Sequence, residues 1–100
     1  MTAALSIAST GLQAAQLRLN ASAHNVANLH TPGFKAHTVQ LQAVAPSAGV
    51  QAHAAQAAQP GVALVAEGVA QMAATYAFKA NVLVLRTAQD MAGALLDVRA

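Results

Sequence analysis

The histidines are the first residues of this chain to consider for chemistry, because imidazole is a common metal ligand and general base. The four of them are His24, His30, His37 and His53. Their spacings of 6, 7 and 16 residues put no two on one helix face at i and i+4, and the last three lie in turn or connector sequence. We therefore predict no metal site.

The other reactive residue types are also sparse. The three acids, Glu67, Asp90 and Asp97, are too few and too regularly placed for an acid–base pair, and the chain has no cysteine. No serine or threonine lies in a nucleophile elbow, and the glycines at 61, 68 and 93 are isolated rather than grouped in a phosphate-binding loop. These patterns predict no catalytic residue, no cofactor and no enzymatic activity.

Composition indicates a chain that depends on partners. Hydrophobic residues make up 56% of it and charged residues 8%, whereas a charged share of about 25% is usual in soluble domains. The five Lys and Arg and the three Asp and Glu are scattered, so nucleic acid binding is not predicted.

The most apolar window, 62–85, contains Glu67, Lys79 and Asn81, which argue against a membrane span. The first 17 residues lack the Lys or Arg of a cleaved signal peptide.

A heptad pattern predicts a first helix from about residue 2 to residue 28. Its predicted coiled-coil seam consists of Leu5, Ala8, Leu12, Ala15, Leu19, Ser22 and Val26. The helix must end near residues 28–30, because the residue before a proline is pushed out of the helical region and Pro32-Gly33 favours a turn. Phe34 follows this turn, and we expect it to pack back onto the helix end.

The middle of the chain has weaker patterns. Residues 38–43 alternate polar and apolar as a short strand does. Residues 45–60 contain Ala, Gln, Ser, Gly, His and Pro without charge or firm period, which indicates a flexible or weakly helical connector.

A second helix is predicted over about residues 62–98, and it is apolar around most of its circumference. The residues expected to pack are Tyr76, Leu83, Met91 and Leu95. At 1.5 Å per residue the two helices would be about 40 Å and about 55 Å long, so the first cannot cover the second. Other copies or related subunits must supply the cover, and a homo-oligomer is expected.

The predicted fold is thus mostly α, with two long terminal helices that pair as a coiled coil. A turn, a short strand and a flexible connector join them. The expected divisions are 1–34 for the first helix and turn, 35–60 for the strand and connector, and 61–100 for the second helix.

Both ends of the chain resemble the signatures of flagellar basal-body rod and hook proteins. The N-terminal match is A-L-S-I-A-S-T-G-L-Q-A-A-Q-L-R-L-N followed by A-H-N-V-A-N-L-H-T-P-G-F-K, and the C-terminal match is Y-A-F-K-A-N-V-L-V-L-R-T-A-Q-D-M-A-G-A-L-L-D-V. The residues that map onto the family motifs are Asn25, Asn28, Thr31, Pro32, Gly33, Phe34, Asn81, Arg86, Thr87 and Asp97. Only the small proximal-rod type is a natural length match. His24 and His30 depart from the pattern, which usually has Asn there.

The resemblance implies a structural axial subunit of the bacterial flagellar basal body, without enzymatic activity. Its terminal helices would pack with other rod and hook-basal-body subunits into a hollow helical tube, and the motif turn would set the bend after the first helix. It also implies export through the flagellar type III apparatus without a cleaved signal peptide. Two alternatives stay open: a generic self-associating helical adaptor, and a reduced rod-protein paralogue that no longer assembles.

Overall fold

Two long helices flank a β-hairpin in the computed structural model, which describes residues 2–44 and 48–99, with side chains from residue 3 to residue 96. The elements in chain order are α1 (Thr2–Ala27), β1 (His37–Val44), β2 (Gly49–Gln56) and α2 (Leu64–Arg99). The predicted mostly helical fold with two long helices of unequal length is confirmed, since α1 has 26 residues and α2 has 36.

The helices pack antiparallel through small side chains. Ser22 of α1 bonds to Glu67 of α2, while Gly11 lies against Asn81, so residue numbers fall along one helix as they rise along the other. The buried apolar residues between and beside the helices are Ala8, Ala14, Ala15, Ala74 and Ala88. Alanine and glycine at these positions let the two backbones approach closely, which larger side chains would prevent.

The contact at Gly11 gives a direct test of this packing. A Cβ at Gly11 would collide with the side-chain amide of Asn81, which donates a hydrogen bond to the Ala77 carbonyl at 2.8 Å. We expect Gly11→Ala to destabilise the helix pair by about 1 kcal/mol, because the amide must move or the helices must separate.

Gly93→Ala is the matched control for this substitution. A Cβ at Gly93 meets nothing within 4 Å, so the same change in a helix should stabilise by up to about 1 kcal/mol. Chemical denaturation of the assembled protein measures both. Equal effects of the two variants would contradict close packing at Gly11.

The hairpin corrects one expectation about the middle of the chain. The segment predicted to be a flexible connector contains β2, which pairs antiparallel with β1 from His37↔Gln56 at the base to Val44↔Gly49 at the tip. A single strand leaves its backbone groups unpaired, and β2 supplies the partner. Residues 45–47 of the predicted connector lie outside the described residues.

The hairpin lies along α1. Near its tip, Gly49 has a φ of 100°, which a residue with a side chain rarely adopts, and a Cβ there would collide with Thr10. The next residue, Val50, donates its N–H to Thr10 Oγ1 at 3.1 Å. Glycine at position 49 therefore lets the hairpin tip lie against α1.

The molecule is long and thin. Its Cα radius of gyration is 17.3 Å, whereas a globular domain of this length has about 13 Å. The Cα extents are 63 × 25 × 14 Å. A body 14 Å thick is little more than one layer of helices, so large side chains on its outer faces have no second layer to pack against.

Candidate functional site

A cluster of polar side chains joins α1, α2 and β1, and we call it the polar junction: Ser22, Asn25, His37 and Glu67. Asn25 Nδ2 donates to the His37 carbonyl at 2.9 Å and to Glu67 Oε1 at 2.6 Å. Asn25 Oδ1 accepts from the His37 N–H at 2.7 Å. Ser22 Oγ donates to Glu67 Oε2 at 3.0 Å. Both oxygens of the Glu67 carboxylate are therefore hydrogen-bonded.

Asn25 is the centre of this junction. Its side chain is 1% exposed, and its amide uses both donor and acceptor atoms. An aspartate at this position would lack the donors and would place a second carboxylate beside Glu67, whereas a leucine would leave the His37 backbone groups unpaired. Asparagine is therefore required at position 25, because its amide links α1 to Glu67 of α2 and to the first residue of β1 by hydrogen bonds.

The turn after α1 is closed by the residues of the predicted T-P-G-F motif and the asparagine before it. Asn28 Nδ2 donates to the His24 carbonyl at 2.9 Å, and its Oδ1 accepts from the Thr31 hydroxyl at 3.1 Å. Gly33 has a φ of 72°, and the Phe34 N–H donates to the Thr31 carbonyl at 3.2 Å. These bonds satisfy backbone carbonyls at the helix end and reverse the chain toward β1.

Three rings cover the end of α1 where the turn leads into β1. The ring centroids of His24 and His37 lie 4.6 Å apart in an edge-on arrangement. Phe34 lies 5.7 Å from His24 and 5.8 Å from His37, and it stacks on the latter. The expectation that Phe34 packs back onto the helix end is met by this contact with His24.

The C-terminal motif residues are placed differently from the N-terminal ones. Asn81 lies in the helix contact opposite Gly11, whereas Arg86 and Thr87 are exposed. Asp97 belongs to α2, and its side chain lies outside the described residues. Any role of these residues in contacts with other chains stays a prediction.

Five large apolar side chains lie on the side of α2 opposite the helix contact, and we call them the outward face: Val65, Val69, Met72, Tyr76 and Leu83. The exposed charged residues Lys79 and Asp90 lie in the same sector. At 100° per residue these positions lie within about 40° of the direction opposite Ala74, which is completely buried. Val65 is 82% exposed, Tyr76 78% and Met72 68%. Past the N-terminal end of α1, the last turns of α2 add exposed Leu95 and Leu96.

The residues predicted to pack divide into two groups. On α1, Ala8 and Ala15 are buried, and the four larger seam residues, Leu5, Leu12, Leu19 and Val26, are half-buried. On α2, the predicted residues Tyr76, Leu83, Met91 and Leu95 are all more than half exposed. Within one chain they do not form the helix contact, so their packing role stays a prediction about contacts between chains.

Sequence reasoning missed the partners of Asn25. From the sequence alone, Glu67 was one of three acids that form no acid–base pair and a residue that argues against a membrane span, and His37 was considered only as a metal ligand. A usable signal was present, since Glu67, Ala74, Asn81 and Ala88 recur every seven residues on α2. This repeat of small and polar residues marks the side that faces α1.

The described residues offer little reactive chemistry. Among residues 2–44 and 48–99, no three His, Cys, Asp or Glu side chains are grouped to hold a metal ion. No helix in the same ranges is long and apolar enough to cross a membrane. The arrangement positions two helices and a hairpin, and it leaves large apolar side chains of α2 exposed.

Comparison with known families gives one match. Residues 5–35 match the family model described as flagella basal body rod protein. The matched segment covers α1 from Leu5 onward, the turn, and the motif residues Asn25 and Asn28, and it confirms the predicted resemblance to flagellar basal-body rod proteins. No curated protein matches the chain. The match supports a structural role in the basal-body rod and association with other basal-body subunits.

Proposed function

We propose that this chain, with its rod-type segment at residues 5–35, is an axial subunit that assembles with its own copies and related subunits into the tube of the flagellar basal-body rod. The observation that carries this proposal is the outward face of α2. Large apolar side chains there are exposed along a helix that the rest of the chain cannot cover.

The size of this face fits part of an interface between subunits. The face runs from residue 65 to residue 83 of α2, so at 1.5 Å per residue and a width of about 10 Å it presents roughly 300 Å². Apolar patches of this size on single proteins are often functional. Two such faces together reach about 600 Å², so a specific interface of about 1,000 Å² needs further contacts from the last turns of α2 or from the hairpin.

The small interior leads to the same conclusion. The buried apolar residues in the described ranges are five alanines, each with a single methyl group as its side chain. Burying so little apolar surface gives a weak driving force for folding a chain of this length alone. Packing of the outward face against neighbours would supply the missing burial.

Export through the flagellar type III apparatus without a cleaved signal peptide also forms part of the proposal, because a chain of low intrinsic stability is easily kept unfolded.

Concentration dependence tests this proposal. We expect the helical circular dichroism signal to rise with protein concentration, together with sedimentation of large particles, because the interface completes the fold. Electron micrographs of the pelleted protein should show rods or tubes.

Other outcomes would separate the alternatives. Small soluble bundles of fixed size would favour a generic helical adaptor. A fully helical monomer that melts sharply and does not depend on concentration would contradict the proposal.

A further inference from the structure

α1 covers only part of each edge of the hairpin. In an antiparallel pair, the backbone groups of alternate residues point either to the partner strand or away from it. The N–H and carbonyl of His37 bond to Asn25, and the N–H of Val50 bonds to Thr10, so both residues point away from the partner strand. The register of the hairpin then fixes the rest: residues 37, 39, 41 and 43 of β1 and residues 50, 52, 54 and 56 of β2 point outward.

Side chains of α1 form hydrogen bonds with the backbone at opposite ends of these two edges. Asn25 bonds to the base of β1, and Thr10 bonds to the tip of β2. The uncovered parts are therefore the tip half of β1 and the base half of β2. Exposure follows the same division, since residues 41–44 and 53–56 are exposed, whereas positions 37, 39, 50 and 52 are half-buried.

The uncovered edges have none of the features that usually prevent strand addition. Exposed edge strands of monomeric proteins generally carry charges, prolines or bulges. The strands H-T-V-Q-L-Q-A-V and G-V-Q-A-H-A-A-Q contain no Asp, Glu, Lys, Arg or Pro, and their eight residue pairs continue without a bulge. Two such edges meet without charge repulsion, and each offers alternating N–H and carbonyl groups to the other.

We propose that the uncovered edge of β1 at Leu41 and Ala43 binds the uncovered edge of β2 at Ala54 and Gln56 of a second copy of this chain. Strand addition of this kind is a known mode of protein recognition. It would place Ala43 opposite Ala54 and Leu41 opposite Gln56, as hydrogen-bonded antiparallel pairs.

The symmetry of this contact suits a polymer. β1 of one copy meets β2 of the next, so the two surfaces differ and the contact can repeat in one direction without closing. The inference rests on the proposed function in that the copies must associate. It adds a backbone contact through the hairpins to the packing of the outward face.

Cross-linking between single-cysteine variants tests the inference, because the chain has no cysteine of its own. Ala43→Cys and Ala54→Cys copies are mixed, assembled and oxidised. Opposed residues in a hydrogen-bonded antiparallel pair have Cα atoms about 5.5 Å apart, which suits a disulfide. We expect a mixed disulfide to be the main product, with little homodisulfide when either variant is oxidised alone.

The outcomes separate this inference from the proposed function. Rods that form without the mixed disulfide, or an equal yield of Ala43→Cys homodisulfide, would overturn strand addition and leave the rod proposal intact. A mixed disulfide in flat ribbons instead of tubes would support strand addition and contradict the rod proposal. Ala54→Pro gives a second test, because it removes an outward N–H and no hydrogen bond within the hairpin. It should reduce to background the mixed disulfide between Leu41→Cys copies and copies that carry both Gln56→Cys and Ala54→Pro, whereas Gln56→Cys copies with Ala54 unchanged should form it.

Discussion

Asn25→Ala should raise the critical concentration for assembly by roughly 30- to 700-fold. The substitution removes three hydrogen bonds and leaves the His37 backbone and one Glu67 oxygen without their partner in a buried site. Unsatisfied buried groups of this kind cost about 2–4 kcal/mol together, and about 1.4 kcal/mol corresponds to tenfold in an equilibrium constant. Quantitative sedimentation of the variant and the unchanged chain measures the shift.

Asn28→Ala is the control for this prediction, because it makes the same change three residues later in the same motif. The Asn28 side chain bonds only within the turn, to His24 and Thr31, and both bonds are exposed to solvent. We expect a shift of less than about fivefold, equivalent to under about 1 kcal/mol for a solvent-exposed cap. If the two variants behaved alike, the polar junction would not be what holds the three elements together.

Tyr76→Asp should also have a large effect and should prevent assembly at concentrations up to about a hundredfold above the normal threshold. Tyr76 is 78% exposed in the single chain and lies in the middle of the outward face. A carboxylate that is buried there costs several kcal/mol even beside Lys79, one turn further along α2, and the packing of the ring is lost as well. Negative-stain electron microscopy together with sedimentation would record the loss of rods.

Gln89→Asp provides the matched control. It adds the same charge to an exposed polar position of the same helix, outside the outward face. Assembly of this variant should stay within about threefold of normal, as for an ordinary surface substitution. Normal rods from Tyr76→Asp would show that the outward face is not an interface. Loss of rods in both variants would point to net charge as the cause.

The two helices could be predicted from the sequence because their patterns are long and end clearly. Leu5, Leu12 and Leu19 recur every seven residues, and Pro32 sets the end of the first run. The second run is long enough that isolated glycines such as Gly93 do not obscure it. A repeat sustained over several turns averages out local exceptions, which is why the lengths and order of both helices are correct.

The second strand was missed because its own residues give only a weak strand signal. V-Q-A-H-A alternates apolar and polar, but G-V-Q-A-H-A-A-Q has one β-branched residue and mostly alanine and glutamine, which are poor strand formers and are equally common in a connector. Its conformation depends on pairing with β1 and on the contact of Gly49 and Val50 with Thr10. Such contacts between distant parts of the chain are not visible in a local pattern.

Hydrophobicity alone also failed to identify the side of α2 that faces α1. It predicts that large residues such as Tyr76 and Leu83 form the core, whereas Ala74 and Ala88 are the buried residues. Close helix packing selects small residues, and their weak hydrophobic signal is outweighed by larger neighbours. In the same way, Asn25 was identified through its family motif, whereas its partner Glu67 could be recognised only once the two helices were placed side by side.

Oxidation of the methionines is the most direct measurement of whether assembly covers the apolar faces of α2. Met72 and Met91 are 68% and 56% exposed in the single chain, and hydrogen peroxide converts accessible methionine to its sulfoxide. In dilute solution both should react at the rate of free methionine, and in sedimented assemblies Met72 should react at least about tenfold more slowly because neighbouring chains cover it. Equal rates of Met72 oxidation in dilute and assembled protein would contradict the account.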